Sequence, residues 1–138
     1  MTLQVRTATQ ADLPAIAAIQ AASPEASQWD PASHLGYDCV VAEAEGAVVG
    51  FLVTRQVAPG EREILNLAVH PSHRRQGVAR RLLKITLESG PGMWFLEVRA
   101  SNFGAISLYK TMGFWHAGQR NGYYHDPPEP AIVMKIDS

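Results

Sequence analysis

Near the middle of the chain an apolar run, Ile64 to Val69, passes through His70-Pro71-Ser72-His73-Arg74-Arg75 into a segment with helical spacing, Gln76 to Glu88. That helix has an apolar face of Val78, Leu82 and Ile85, with Arg80, Arg81 and Lys84 largely elsewhere, and it stops at Ser89-Gly90-Pro91. A buried strand that turns within a few residues into an amphipathic helix must lay the helix back on its own sheet, which calls for a mixed α/β layer architecture.

The flanking segments fit such a sheet. Leu3 and Val5 alternate with polar neighbours as in a short strand. Thr9 and Asp12 then mark a helix start, with Leu13, Ile16 and Ala17 on one side and Pro14 tolerable only in the first turn. Ser23 to His34 reads as an irregular loop or a broken second helix. Val40 to Ala42, Val48 to Val57 and Ile64 to Val69, parted by Glu45-Gly46 and Pro59-Gly60, predict an antiparallel meander. Met93 to Val98 is a further strand. Ser101-Asn102 offers an N-cap for a helix with Ala105, Leu108 and Met112 inward, ended by Gly113 as a left-handed cap, and Phe114 to Ala117 and Ala131 to Ile136 close the sheet. The fold class expected is α/β (α+β): a mixed, largely antiparallel sheet of six to seven strands flanked by four helices. With 138 residues, 46% of them hydrophobic, and no repeat or linker, one domain is expected.

Charge narrows the function. Twelve basic and 13 acidic residues leave a formal charge of -1, with no excess for gripping nucleic acid or an anionic membrane. No apolar run approaches the ~20 residues of a membrane span, and the start Met1-Thr2-Leu3-Gln4-Val5-Arg6 lacks a secretory pattern, so a soluble cytoplasmic protein is expected. Cys39, the only cysteine, reads as a small core residue. His70 and His73 lack the companions of a zinc site, and no metal is expected.

The strand-to-helix junction is also where chemistry is expected. A helix start carries free N–H groups and a positive dipole end, and Gly77 lets an anion approach the backbone. Ala79 is small, and Arg74, Arg75 and Arg80 add charge around a site that suits a pyrophosphate. The same pattern also suits a helix that merely follows a turn, with solvated arginines. Neither Gly-x-x-x-x-Gly-Lys-Ser/Thr nor Gly-x-Gly-x-x-Gly occurs, which argues against nucleoside triphosphates and dinucleotides. Further on, Glu97 interrupts an apolar strand, and such a carboxylate is paired, solvated or kept for chemistry. Arg99 is the pairing candidate; Tyr109, on the next helix, reads by itself as packing.

Leu67 to Ala79 resembles the acetyl-CoA signature of the GNAT superfamily, Arg/Gln-x-x-Gly-x-Gly/Ala. The resemblance implies a GNAT fold, with the pyrophosphate of CoA on the backbone N–H groups of Arg75, Gln76, Gly77, Val78, Ala79 and Arg80, and with Arg74 among the cofactor-binding residues. It also implies the pantetheine arm along Leu67, Ala68 and Val69. Leu96 to Asn102, Leu108-Tyr109, Gly113-Phe114, Arg120, Tyr123-Tyr124 and Ala131 to Met134 resemble, more narrowly, the RimI-type ribosomal-protein-alanine N-acetyltransferases. This implies Glu97 as general base, Tyr109 as general acid and Asn102 as a CoA contact. The acceptor implied is a protein N-terminus, such as that of a ribosomal protein.

The chemistry agrees with these residue types. An α-amino group of pKa about 7.7–8.0 costs about 1 kcal/mol to deprotonate near pH 7, and a lysine of about 10.4 costs about 5. One carboxylate therefore suits an N-terminus better than a lysine. A phenol can protonate the leaving thiolate, and N–H groups near Val69 can polarise the thioester carbonyl. Departures lie where acceptors bind: a short Ala79 to Glu97 spacing, an abbreviated Ser23 to His34, and a compact Asp126-Pro127-Pro128-Glu129-Pro130 turn. Trp29, Tyr123 and Tyr124 suit either a peptide groove or local packing. Small amines or lysine as acceptors, and a non-catalytic acyl-CoA-binding module, are the competing functions.

Overall fold

A computed structural model describes residues 2–24, 26, 28, 30, 33, 36–125 and 128–138. In chain order the elements are β1 (Leu3–Thr7), α1 (Leu13–Ala21), β2 (Asp38–Ala44), β3 (Ala47–Ala58), β4 (Glu61–Val69), α2 (Val78–Glu88), β5 (Met93–Arg99), α3 (Phe103–Thr111), β6 (Trp115–His125) and β7 (Pro128–Asp137). Short 3-10 turns at Gln10–Asp12 and Pro71–His73 precede α1 and α2. The strands form one seven-stranded sheet in the order β1-β2-β3-β4-β5-β7-β6. Each adjacent pair is antiparallel except β4 and β5.

This is the mixed, largely antiparallel sheet expected, with three α-helices among the described residues. The Ser23 to His34 segment, Trp29 included, lies largely outside those residues, as do Asp126 and Pro127 of the proline-rich turn. Pro14 stands in the first turn of α1, and Thr9 and Asp12 form a reciprocal capping box just before it. The core side of α1 is Ile16, Ile19 and Gln20, with Leu13 and Ala17 only half-buried. Gly113 has φ +105°, the positive φ expected at the close of α3.

Two boundaries differ from expectation. Helix α2 starts at Val78, not Gln76, because Arg75 and Gly77 both have positive φ (62° and 82°) and cannot continue a right-handed helix. Strand β6 runs to His125, far past Ala117. Its polar residues carry no inward-outward alternation, since β6 is an edge strand exposed along most of its length.

Helices α2 and α3 cover one face of the sheet, burying Leu82, Leu83, Trp94, Leu96 and Met134. Helix α1 covers part of the other, over Val41, Phe51 and Val53. Strand β3, covered on both sides, is therefore apolar from Val49 to Val53 without alternation. Cys39 belongs to the α1-side core, and burial pushes its thiol up to about 11.

What positions the site is a defect in this sheet. Strands β4 and β5 pair only from Glu61↔Met93 to Ile64↔Leu96. Next to that point β4 carries one extra residue, Leu65, against β3, since Val53 pairs with Asn66 and Thr54 with Ile64. A bulge bends its strand and raises its twist. Beyond Ile64 and Leu96 no pairing joins the two strands, and a wedge opens between Leu65–Val69 and Glu97–Arg99.

Candidate functional site

The wedge is the floor of a cleft of about 740 Å³. Leu67, Ala68, Val69, Arg74, Arg75, Gly77, Val78, Ala79, Arg80, Glu97, Asn102 and Tyr109 all line it, so residues spread over two distant segments of the sequence meet in one cavity. Gln76 does not line it; its side chain turns back to the Ser72 carbonyl at 3.5 Å.

At one end of the cleft is the start of α2. The first helical hydrogen bond to close runs from Arg81 N to Gly77 O (3.0 Å), so the N–H groups of Val78, Ala79 and Arg80 have no carbonyl a turn earlier to meet. No atom lies within 4 Å of where a Gly77 Cβ would stand. An anion can rest here on backbone donors at the positive end of the helix dipole. The three arginines differ in what they hold. Arg74 donates to Val69 O (3.2 Å) and to the hydroxyl of buried Ser23 (3.0 Å), tying the end of β4 to the segment after α1. Arg80 donates to Thr111 Oγ1 (3.2 Å) and reaches Met112 Sδ (3.7 Å), bridging α2 to α3. Arg75 is exposed at the cleft margin.

Along β4 the Leu67 N–H is taken by Asn66 Oδ1 (3.1 Å), and Arg74 takes the Val69 carbonyl. The side chain of Asn102 caps α3, its Oδ1 accepting from Ala105 N at 3.2 Å.

At the other end are Glu97 and Tyr109. Trp94, Leu96 and Val98 of β5 point to the α2/α3 core, so Glu97, out of phase with them, belongs to the opposite face. Tyr109 is buried within the α2/α3 core, 5.5 Å from the Phe114 ring centre. The two thus approach the cleft from opposite faces through the gap between β4 and β5. Burial, then the nearby Tyr124, raises the Tyr109 phenol well above its ordinary value.

Glu97 does not pair with Arg99, its sequence neighbour. Arg99 instead meets Glu129 (3.6 Å) and lies 4.2 Å over the Tyr124 ring. The partner of Glu97 is Arg120 of β6, whose Nη1 donates to Oε1 at 2.6 Å. The Arg120 guanidinium lies 4.4 Å from the centre of the Tyr123 ring. The Tyr123 phenol is raised first by burial and then by the Glu97 charge. Glu97 Oε2 is buried and accepts no hydrogen bond among the described residues. A buried carboxylate oxygen without a donor is costly, so this is a position suited to an incoming N–H group or a water.

Arg120, Tyr123 and Tyr124 are legible in the sequence through resemblance alone. The links from Arg74 to Ser23 and from Glu129 to Ser101 are not legible there, because the partners lie at least 28 residues apart. His70 and His73 are joined through Ser72 Oγ (2.7 and 2.8 Å), and no group of three potential metal ligands occurs among the described residues. No helix among those residues is long and apolar enough to cross a membrane.

Comparison with known proteins identifies the family. Residues 5–114 match the acetyltransferase (GNAT) family. The [ribosomal protein bS18]-alanine N-acetyltransferase of Escherichia coli K12 is 40% identical over 97 residues, covering 66% of this chain. The aligned stretch is 65% of that relative's own length. The N-alpha-acetyltransferase RimI of Mycobacterium tuberculosis is 34% identical over 122 residues, 80% of this chain and 76% of that protein. Among solved structures, the Escherichia coli ribosomal-protein-S18-alanine N-acetyltransferase superposes with a TM-score of 0.85 at 32% identity, over 99% of this chain and 94% of the other. Ard1 of Thermoplasma volcanium gives 0.89 at 26% identity, over 99% and 98%. The chain belongs to the acetyltransferase (GNAT) family.

Proposed function

We propose that this chain is a single-domain, cytoplasmic, acetyl-CoA-dependent N-acetyltransferase whose acceptor is the α-amino group of a protein, such as a ribosomal protein beginning with alanine. One observation carries the reading: Glu97 and Tyr109 line the same cleft as the unpaired N–H groups at the start of α2. The similarity to bS18-alanine acetyltransferases supports the acceptor class.

The cleft fits acetyl-CoA. The N–H groups of Val78, Ala79 and Arg80 would hold the pyrophosphate, with Arg75 adding charge, and the splayed edge of β4 from Leu67 to Val69 would lie along the pantetheine arm. When bound there, the cofactor supplies an acetyl group activated as a thioester. Glu97, one oxygen held by Arg120, takes the proton of the acceptor ammonium at Oε2, directly or through a water. As the neutral amine nitrogen bonds to the carbonyl carbon, Tyr109 Oη would give its proton to the sulfur that leaves, and the nitrogen's second proton would pass to solvent, from which the tyrosinate is reprotonated. At its ordinary pKa of about 10 a phenol already carries its proton at neutral pH and can donate it there.

The test is acetyl transfer to short peptides beginning with Ala, each with a free and a blocked N-terminus, by wild type and Glu97→Gln. The expected result is transfer to free N-termini alone, with kcat/KM down roughly 10²–10⁴-fold in the variant and acetyl-CoA affinity unchanged. Transfer of equal rate by Glu97→Gln would remove Glu97 as the base. No transfer to any peptide would favour a small amine or an acyl-CoA-binding module.

A further inference from the structure

The ion pair that closes on Glu97 bears on which amines the site accepts. A lone carboxylate beside the reacting centre attracts any ammonium, lysine included. Here the carboxylate is already neutralised: Arg120 contacts Oε1 at 2.6 Å, and the two charges sum to zero at the place where the amine must lose its proton. The other nearby charges are paired among themselves, Glu63 with Arg55 (2.8 Å) and Arg99 with Glu129 (3.6 Å).

Arg120 is held for this position. Strand β6 shifts register between Arg120↔Ala131 and Tyr124↔Glu129, so Asn121, Gly122 and Tyr123 stand against one residue of β7. Gly122, at φ +67°, permits that bulge, and the bulge carries the Tyr123 ring on which Arg120 lies. The Arg120 side chain remains 56% exposed while that of Glu97 is 14% exposed, so the contact is made by a surface arginine reaching in over a nearly buried acid.

From this geometry, and resting on the α-amino transferase reading above, we infer that Arg120 is a specificity-determining residue that selects N-terminal α-amines over lysine side chains. A neutral Glu97–Arg120 pair has little power to collect ammonium ions, so acceptors are distinguished by how readily each gives its proton to Glu97. At pH 7 about one α-amine in ten is neutral, against about one lysine in 2,500. With Arg120 removed, Glu97 is left as an uncompensated anion that collects both kinds of ammonium, and the discrimination falls.

The experiment uses one peptide with a free N-terminal Ala and a single internal lysine, and a second with its N-terminus blocked. Acetylated sites are mapped by mass spectrometry for wild type, Arg120→Gln and Arg120→Lys, with acetyl-CoA affinity and thermal midpoint measured alongside. Arg120 is exposed, so the variants are expected to fold and to bind acetyl-CoA as wild type does. The expected result is a ratio of α-amine to lysine kcat/KM that drops at least tenfold in Arg120→Gln and is largely restored in Arg120→Lys, which keeps the charge. An unchanged ratio in Arg120→Gln, with both rates lowered alike, overturns the selectivity role and leaves the α-amino reading standing. Absence of α-amine transfer by the wild type itself overturns that reading, and the inference with it.

Discussion

Gly50 of β3 lies directly behind the anion site. A Cβ added there would stand 3.0 Å from Val78 Cγ1, 3.2 Å from Ala68 O and 3.3 Å from Leu82 Cδ1. None of these neighbours yields easily: Ala68 O is backbone, and Val78 and Leu82 are fully buried. Gly50→Ala must therefore push the first turn of α2 away from the sheet by a few tenths of an ångström. Overpacking of this kind costs about 1–3 kcal/mol. A chain of this length loses about 0.3 kcal/mol of stability per degree near its midpoint, so Tm should fall by about 3–10 °C. The same shift moves the N–H groups of Val78, Ala79 and Arg80. Hydrogen bonds to a charged partner contribute about 1.5–3 kcal/mol, and weakening them by about 1 kcal/mol in total raises Kd about fivefold. Thermal unfolding followed by calorimetric titration with acetyl-CoA measures both effects. Gly118→Ala, where nothing lies within 4 Å, serves as the comparison and should stay within about 0.5 kcal/mol of wild type. A lowered Tm with unchanged acetyl-CoA affinity would refute the coupling between helix packing and the anion site; an unchanged Tm would refute the packing argument itself.

Asp12 is held at about 2, from an ordinary 3.8, chiefly by hydrogen bonds from Arg6. Because its folded value is depressed, its stabilisation is full above about pH 4 and is lost as pH falls through about 2. Asp12→Asn should therefore cost roughly 2 kcal/mol at pH 7 and flatten the stability profile between about pH 4 and 2, read by denaturant titration at each pH. Asn102→Ala should cost about 1 kcal/mol through loss of the α3 cap, whereas Asn102→Asp, which keeps an acceptor for Ala105 N, should regain most of that stability. Acetyl-CoA binding that stays weak in Asn102→Asp would assign the amide a direct contact as well.

How much could be read in advance followed from the range of each interaction. The helix that follows Arg75, placed to within two residues, the N-cap at Asn102, Pro14 in the first turn and the meander from β2 to β4 all rest on residues near one another in the chain. Their φ preferences and hydrogen-bonding groups act within a turn or a hairpin, so composition and spacing carry them. Strand β6 failed the same treatment beyond Ala117, because a solvated edge leaves no burial pattern to read.

The site divides along the same line. The sequence by itself determined a strand-to-helix junction suited to an anion and, through resemblance, the candidacy of Glu97 and Tyr109. Only the tertiary structure decided that Glu97 answers to Arg120 and not to Arg99, that Arg74 ties β4 to Ser23, and that a cleft exists. That pairing requires β7 to lie between β5 and β6 and a bulge in β6, while the cleft requires β4 and β5 to part beside the bulge at Leu65. Strand order and register are set by the packing of the whole sheet, and no local stretch of sequence contains them.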